Sequence, residues 1–227
     1  MNAEKIAAII LAAGSSSRMC GVKKEFQKLN DGLTVLGFAV SSFSDYTGII
    51  VIVIPENEET AARQALPQDF LIENSKKIIF VNGGDTRRIS VLNALVALTP
   101  YNPSYVLIHD GARPWVSPNL IKNIINATKK HDAVIPLLAL TDTPKLIERG
   151  EQDTVFIKTH LKRFDVGGAQ TPQGFKYPDI LHAHEKAKVC SEEFTDDAEI
   201  WGRFVGKVAV IPGEKENRKI TFPEDLN

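Results

Sequence analysis

A segment rich in small residues and followed by basic residues is the first place where this chain could do chemistry. It reads Leu11-Ala-Ala-Gly-Ser-Ser-Ser-Arg-Met19 and follows an apolar stretch. Small residues let a backbone approach a ligand closely, and successive N–H groups in such a turn can point at phosphate oxygens. Arg18 and Lys24 add two cations. The pattern predicts a triphosphate site, although a plain tight turn explains the small residues equally well.

This segment differs from two common phosphate-binding loops. It lacks the Gly-Lys-Ser/Thr ending of a P-loop, and it lacks the second and third glycines of the dinucleotide-binding fingerprint. Any nucleotide would therefore be held in another way.

Asp110 is a second candidate, because it directly follows the apolar run Tyr105–His109. A buried carboxylate without a partner is costly. An acid at the end of a central strand is therefore better explained by a ligand or a catalytic role than by packing.

The elements that position these residues follow from the apolar pattern. Near-continuous apolar runs are typical of strands buried on both faces. Helical spacing separates several of them, as at residues 91–98 and at 120–125 after Ser117-Pro118. We therefore predict an α/β fold with a doubly wound, mostly parallel sheet. The predicted strands are Ile6–Ala13, Ile49–Ile54, Lys77–Val81, Tyr105–His109 and Ala133–Leu140.

The pattern changes at about residues 141–170, which are mixed and polar. Pro144–Glu148 and Thr154–Lys158 resemble short strands on either side of a turn, so we predict a β-arm that projects from the sheet; a surface loop is the alternative. Helices are predicted at Asp179–Lys188 and Asp196–Phe204, and a last strand at Val208–Ile211. Residues 1–227 are predicted to form one domain with this arm.

Composition narrows the class of protein. The 227 residues carry a formal charge of −1, which argues against general binding to nucleic acid or to acidic membranes. Two cysteines, Cys20 and Cys190, exclude a disulfide framework, and scattered histidines make a structural zinc site improbable. The N-terminus has no signal-peptide pattern. We expect a cytoplasmic enzyme.

Six ordered segments resemble a known family, the methylerythritol phosphate cytidylyltransferases of isoprenoid synthesis. The resemblance runs from Ile6 to Leu226. The segments are Ala12-Ala13-Gly14 with Arg18-Met19 and Lys24-Glu25-Phe26, Gly83-Gly84-Asp85-Thr86-Arg87-Arg88-Ile89-Ser90-Val91, Asp110-Gly111-Ala112-Arg113-Pro114, Asp142-Thr143-Pro144-Lys145, Ala169-Gln170-Thr171-Pro172-Gln173-Gly174-Phe175 with Thr195-Asp196-Asp197-Ala198, and Asn217-Arg218-Lys219-Ile220-Thr221-Phe222-Pro223-Glu224-Asp225-Leu226. Lys23 and Glu25 replace the family's proline and glutamine, which leaves open whether Lys23 or Lys24 binds phosphate.

The resemblance implies a Rossmann-like nucleotidyltransferase fold, transfer of CMP from CTP to 2-C-methyl-D-erythritol 4-phosphate, Mg²⁺ as cofactor and a homodimer formed through the arm. It places Ser90 at the start of a helix. From the residues alone, Thr195 is an N-cap followed by acids in the first helical turn, a structural role that fits whatever the function. The implied phosphate-binding residues are Arg18, Lys24 and Lys219. The implied nucleotide-binding residues are Ala12, Ala13, Gly14, Gly84, Asp85, Ser90 and Asp110. The implied acceptor-binding residues are Arg113, Thr143, Lys145, Arg163, Thr171 and Thr195. No acidic cluster for a metal is implied, since Mg²⁺ often binds through substrate oxygens.

Two other readings fit the same residues. A ribitol 5-phosphate cytidylyltransferase shares nearly every motif. A catalytically idle nucleotide-binding domain would retain the glycine segments, but the presence of Lys24, Asp110 and Lys219 argues against it. A Gly-Gly that only turns the chain and solvated charges on the arm are the structural alternatives for the individual segments.

Overall fold

The computed structural model describes residues 6–14, 19, 22–30, 32–75 and 77–226. Arg18, one of the predicted phosphate-binding residues, lies outside the described residues.

The described residues form a central mixed sheet and a separate hairpin. The strands are β1 (Ile6–Leu11), β2 (Ile49–Ile54), β3 (Ile78–Asn82), β4 (Tyr105–Asp110), β5 (Ala133–Ala139), β6 (Lys145–Arg149), β7 (Val155–His160), β8 (Gly167–Ala169), β9 (Gln173–Lys176) and β10 (Ala209–Pro212). The central sheet has the order β10-β5-β9-β4-β1-β2-β3, and β8 pairs with the far part of β5. β1 is parallel to both β2 and β4. β2 is also parallel to β3, and β5 is parallel to β10. The predicted mostly parallel sheet is confirmed.

Helices cover both faces of this sheet, as predicted for a doubly wound fold. They are α1 (Val35–Ser41), α2 (Glu59–Gln64), α3 (Gln68–Glu73), α4 (Arg87–Ala97), α5 (Pro118–His131), α6 (Tyr177–Ala187) and α7 (Asp197–Phe204). Alternate residues of β1 explain the two layers: Ile6, Ala8 and Ile10 pack with α1, α2 and α5, whereas Ala7 and Ile9 pack with α4, α6 and α7. Burying both faces accounts for the continuous apolar runs in the sequence.

Two antiparallel strands, β8 and β9, were not predicted. β9 lies between β4 and β5 and is antiparallel to both. Gly174 in β9 lies so close to α5 that an added Cβ would be 2.1 Å from Thr128 Oγ1. The strand is short and contains glycine and glutamine, so neither hydrophobicity nor β propensity marks it in the sequence.

The predicted arm is present as the hairpin β6–β7, a two-stranded sheet of its own. Every residue of its two strands is exposed, including Ile147, Phe156 and Ile157. The interpretation of the chain as one domain stays a prediction.

Across the described ranges, none of the helices combines the length and apolar character that crossing a bilayer requires.

Candidate active site

The largest concentration of predicted site residues lies at the carboxyl ends of the central strands. Loops that follow β1, β3 and β4 surround a cavity of about 580 Å³ at this edge. Open α/β sheets bind ligands at this edge. The lining residues are Leu11, Ala13, Gly14, Met19, Lys23, Lys24, Glu25, Gly84, Asp85, Thr86, Arg87, Ser90, Asp110, Ala112, Lys219 and Thr221.

Backbone hydrogen bonds hold these loops together beyond the ends of the strands. Ala12 N–H donates to the Val53 carbonyl at 2.8 Å, and Gly111 N–H donates to the Leu11 carbonyl at 2.8 Å. Gly111 must remain without a side chain, because a Cβ there would lie 2.8 Å from the same Leu11 oxygen. The described part of the cavity floor is therefore a continuation of the sheet.

Gly83 and Gly84 bring the loop after β3 against the loop after β1. A Cβ on Gly83 would lie 2.5 Å from the Ala13 Cβ and 3.0 Å from Ser90 Oγ. The Ser90 hydroxyl accepts a hydrogen bond from Gly84 N–H at 3.0 Å and is buried. The glycine pair thus lets this backbone pass close to the Ala13 and Ile89 side chains, and Ser90 holds the turn in place.

Helix α4 begins earlier than the resemblance implied. Thr86 is its N-cap, and its hydroxyl accepts from Ile89 N–H at 3.2 Å, so Ser90 lies one turn inside the helix instead of beginning it. Arg87 is the first helical residue, where the helix dipole disfavours a positive charge. Two carboxylates offset this cost. Arg87 Nη2 lies 2.7 Å from Asp197 Oδ2, and Arg87 Nε lies 4.0 Å from Asp110 Oδ1.

Asp110 lies at the centre of the charged groups. Its Oδ2 is 2.8 Å from Lys219 Nζ and 3.7 Å from Arg113 Nε. Burial acts to raise the pKa of Asp110, but Lys219 and then Arg87 outweigh it and hold the pKa well below its usual range. The carboxylate therefore stays ionised and fixes the lysine that faces the cavity.

A directed chain of hydrogen bonds supports the end of β4. His109 Nε2 lies 3.0 Å from the Arg113 carbonyl, which can only accept, so Nε2 carries the hydrogen. His109 Nδ1 then accepts from the Thr171 hydroxyl, and Thr171 Oγ1 accepts from Asp110 N–H, both at 3.0 Å. Complete burial lowers the pKa of His109 to about 4, so the ring is neutral. Thr171, predicted to bind the acceptor, also orients Asp110.

The segment 214–220 carries Lys219 to the cavity from the far end of the chain. Ile220 N–H donates to the Ala112 carbonyl at 2.8 Å, and the Arg113 guanidinium donates to the Asn217 carbonyl at 2.7 Å. Asn217 is fully buried and donates to the Thr171 carbonyl at 2.8 Å. Arg113 therefore braces this segment as well as approaching Asp110.

Lys23 and Lys24 both line the cavity. Lys23 Nζ donates to the Gly14 carbonyl at 3.3 Å, and Lys24 is largely buried in a short 3-10 turn, Lys24–Phe26. Lys24 also lies close enough to Asp225 to help lower the pKa of that carboxyl, after two backbone N–H donors from Phe222 and Thr221. The choice between the two lysines stays open.

The carboxylates around the cavity suit a magnesium ion that is held mainly by a substrate. No group of three or more His, Cys, Asp or Glu side chains that could hold a metal occurs among the described residues. Glu25, Asp85 and Asp110 do line the cavity, and Mg²⁺ commonly takes one or two carboxylates together with phosphate oxygens and water.

Four predicted acceptor-binding residues lie away from this cavity. Thr143, Lys145 and Arg163 are exposed on or beside the arm, and Arg163 donates to the Thr141 carbonyl at 3.0 Å. Thr195 is exposed next to α7 and donates from both N–H and hydroxyl to Glu199 Oε2, at 2.7 and 2.8 Å. The N-cap of α7 is Asp196, not Thr195, because Asp196 Oδ1 accepts from Glu199 N–H at 2.9 Å. None of these four residues lines the cavity of its own chain, although Thr195 is two residues from Asp197, which pairs with the cavity residue Arg87.

Sequence reasoning missed Arg87 and its buried partner Asp197. Arg87 was part of the quoted glycine segment but received no role, although a cation in the first helical turn is a signal that a carboxylate lies nearby. Asp197 gave no such signal, since acids are common in a first helical turn. The pairing joins residues separated by 110 positions, which no local pattern reveals.

Comparison with known proteins identifies one family that the chain resembles over nearly its whole length. The model of the family "IspD: 2-C-methyl-D-erythritol 4-phosphate cytidylyltransferase" matches residues 6–227. A "Bifunctional enzyme IspD/IspF" of Bartonella tribocorum is 38% identical over 98% of this chain and 54% of its own length. A "2-C-methyl-D-erythritol 4-phosphate cytidylyltransferase" of Bacillus mycoides is 36% identical over 96% of this chain and 93% of its own. The crystal structure of "4-diphosphocytidyl-2C-methyl-D-erythritolsynthase" from Anaerococcus prevotii has a TM-score of 0.84 and 33% identity, covering 100% of this chain and 96% of its own.

This chain spans about half the length of several curated relatives that it matches, the bifunctional proteins, of which it covers 54–55% in three cases. The match lies over nearly all of this chain in each of them.

Proposed function

Because this chain belongs to the family of 2-C-methyl-D-erythritol 4-phosphate cytidylyltransferases, we propose that it transfers CMP from CTP to 2-C-methyl-D-erythritol 4-phosphate and releases pyrophosphate. One observation carries the proposal: Lys24, Lys219 and Asp110 line the same cavity as the Gly84 turn. A nucleotide base can meet the turn while its phosphates meet the lysines.

The proposed reaction is a substitution at the α-phosphorus of CTP. An oxygen of the acceptor phosphate forms the new bond to this phosphorus, and the bond to the bridging oxygen of the β-phosphate breaks, so pyrophosphate leaves with that electron pair. The acceptor needs little help from a base, because a phosphomonoester is mostly a dianion at neutral pH. The barrier is the repulsion between two anions, together with the negative charge that develops on the α-phosphoryl oxygens.

Fixed cations lower this barrier because their charge is already in place when the transition state forms. Lys24 and Lys219 supply them from the two ends of the chain, and Arg18 is proposed to add a third. Asp110 is proposed to hold Lys219 in position and to contact the ribose. A side chain fixed in this way does not need to reorganise during the reaction.

Recognition of cytosine is proposed to use backbone groups of two loops. Ala12, Ala13 and Gly14 belong to the loop after β1. Gly84, Asp85 and Ser90 belong to the loop after β3 and the first turn of α4. The cavity walls here are built from the close approach of two loops, in which the Ser90 hydroxyl binds Gly84 N–H. A rigid polar edge of this kind can discriminate a pyrimidine by hydrogen bonds.

Magnesium is the proposed cofactor, and Glu25, Asp85 or Asp110 would hold it together with the phosphates of CTP. When bound there, Mg²⁺ would neutralise phosphate charge. The acceptor would contact Arg113 and Thr171, which adjoin Asp110.

The exposed arm supports the proposal of a homodimer. An isolated two-stranded hairpin is at best marginally stable in water, and this one carries exposed Leu146, Ile147 and Phe156. We propose that a second copy covers these side chains and that Thr143, Lys145 and Arg163 reach the partner's acceptor site. Thr195 lies outside the arm and is proposed to contact the acceptor. The cytoplasmic location stays a prediction.

Pyrophosphate release from CTP and Mg²⁺ with each acceptor tests the proposal. We expect turnover with 2-C-methyl-D-erythritol 4-phosphate and roughly tenfold lower kcat/KM, or less, with ribitol 5-phosphate, since a small change in substrate shape typically costs about that much in a fitted pocket. Faster turnover of ribitol 5-phosphate would make that sugar alcohol the acceptor, and CTP binding in calorimetry without turnover of either would indicate an idle nucleotide-binding domain.

A further inference from the structure

A row of alternating charges extends from the cavity into the protein interior. It runs from Lys219 through Asp110 and Arg87 to Asp197, with contacts of 2.8, 4.0 and 2.7 Å. Lys219 and Asp110 have roles in the proposed function. Asp197 does not line the cavity and lies at the inner end of the row of charges.

Asp197 is the most deeply buried member of the row. Its side chain has no exposed surface, and besides Arg87 it contacts the buried His184, whose Nε2 lies 3.2 Å from Asp197 Oδ1. Burial acts to raise the pKa of Asp197, but Arg87 and then the His184 hydrogen bond outweigh it, so the carboxyl stays ionised. An ionised group in such a place needs its partners, because removing one leaves a buried charge uncompensated.

The geometry of Arg87 explains what this charge can do. Its guanidinium is one-third exposed and lies between two carboxylates, with Nη2 on Asp197 and Nε towards Asp110. Arginine can span two carboxylates because its donors point in fixed directions, which the single ammonium of a lysine cannot reproduce. Asp197 therefore anchors one side of the guanidinium, and the Nε on its other side lies 4.0 Å from the carboxylate that holds Lys219.

We infer that Asp197 is a positioning residue for the nucleotide cavity, acting through Arg87 on Asp110 and Lys219. The expected loss of kcat/KM rests on the proposed function. The expected change in the surroundings of Arg87 does not. Asp197 itself touches no substrate.

The kinetic test is a double-mutant cycle. Asp197→Asn keeps the shape of the side chain and removes its charge. Arg87→Lys keeps the positive charge of residue 87 and removes the guanidinium group that can contact two carboxylates. We expect each to lower kcat/KM by roughly 10- to 100-fold, by analogy with the loss of a group that orients a metal-binding side chain. The double variant should be no slower than the slower single variant, because both changes break the same link.

A purely structural role for Asp197 predicts a different result. The two losses would then multiply in the double variant, or Asp197→Asn would lower the melting temperature and leave kcat/KM of the folded protein unchanged. Either result would overturn the inference. Glu59→Gln is the matched control, since it breaks an exposed carboxylate–arginine pair, 2.8 Å from Arg63, far from the cavity; its kcat/KM should equal that of the wild type.

A second readout does not depend on turnover. The Nε–H resonance of Arg87 in the 227-residue chain should move and exchange faster with solvent in Asp197→Asn, and should stay unchanged in Glu59→Gln. An unchanged resonance in Asp197→Asn would refute the link, even if the wild type transferred no CMP to any acceptor. Absence of turnover in the wild type, with the resonance moving as expected, would refute only the proposed function.

Discussion

Two lysines contributed by opposite ends of the chain give the sharpest prediction for single residues. Lys24→Ala and Lys219→Ala should each lower kcat by roughly 10²–10³-fold, the usual cost of removing one preorganised donor to transition-state charge. Steady-state pyrophosphate release measures this. The exposed Lys129→Ala on α5 is the control and should not change kcat.

The outcome also decides between the two neighbouring lysines. Lys23 donates to the Gly14 carbonyl and so stabilises the loop. Lys23→Ala should therefore cost less in kcat than Lys24→Ala. The reverse order would assign phosphate binding to Lys23, and near-normal kcat in both Lys24→Ala and Lys219→Ala would contradict the proposed mechanism.

Buried His109 gives a prediction on pH. Its pKa is about 4 in the folded protein because of burial, against about 6.5 in an unfolded chain. The unfolded state therefore binds more protons as the pH falls through this interval. The stability that comes from keeping His109 neutral should be fully present above pH 6.5. By pH 4 the free energy of unfolding should have fallen by roughly 3 kcal/mol because of this group.

Urea unfolding at several pH values measures this dependence. His109→Gln should flatten the slope between pH 6.5 and 4 whatever its overall stability, whereas His131→Gln, at an exposed position, serves as the control. Below pH 4 the slope should persist in both variants, because Asp110 and Asp197 have lowered pKa values and lose their ion pairs there. If the free energy of unfolding of His109→Gln and of the wild type changed equally with pH above pH 4, His109 would not be the source of this pH dependence.

At the scale of elements, the tight junction between two loops makes Gly83 sensitive. Gly83→Ala places a Cβ 2.5 Å from that of Ala13 and must push the loops apart. Overpacking of this kind typically costs about 1–3 kcal/mol, and here we expect the cost to appear as weaker CTP binding as well as lower stability. Calorimetry with CTP and Mg²⁺, together with thermal unfolding, separates the two effects.

Gly202→Ala is the matched control, since a Cβ at Gly202 meets nothing within 4 Å and alanine favours the interior of α7. CTP affinity should be unchanged in this variant. Unchanged affinity in Gly83→Ala would instead show that the glycine pair only turns the chain.

The elements also show what the sequence could and could not predict. Parallel strands buried on both faces produce long runs of Ile, Val and Leu, so β1, β2 and β4 were found nearly to the residue. β9 was missed because its position between β4 and β5 rests on long-range pairing that a four-residue run with Gly174 cannot signal. Ser117 was found as the N-cap of α5. Two other helix starts were misplaced, by one position at Thr195 and by a turn at Ser90, because several adjacent polar residues suit the same role.

The candidate site follows the same rule. Residues that belong to a contiguous motif, such as Gly84 and Asp110, were predicted and line the cavity. The link from Arg87 to Asp197 joins two helices packed on one face of the sheet, so only the fold reveals it. Residues on the arm matched the family's motifs, but they do not line the cavity of their own chain.

For the whole molecule, the exposed arm predicts that the active form contains two chains. Ile147 and Ile157 pair across the hairpin and are each about half exposed, at 54% and 53%. A charge placed between them would have to lose water if a second copy covered this face. Ile157→Glu should therefore convert a wild-type dimer to a monomer in sedimentation velocity at micromolar concentration. It should also lower kcat/KM for the acceptor far more than it weakens CTP binding, since the cavity in each chain is left intact.

Val189→Glu, at a side chain 91% exposed and outside the arm, is the control for adding charge to an apolar surface residue. A wild type that turns over as a monomer would contradict the shared acceptor site, because Lys145 and Arg163 could then not reach a partner's cavity.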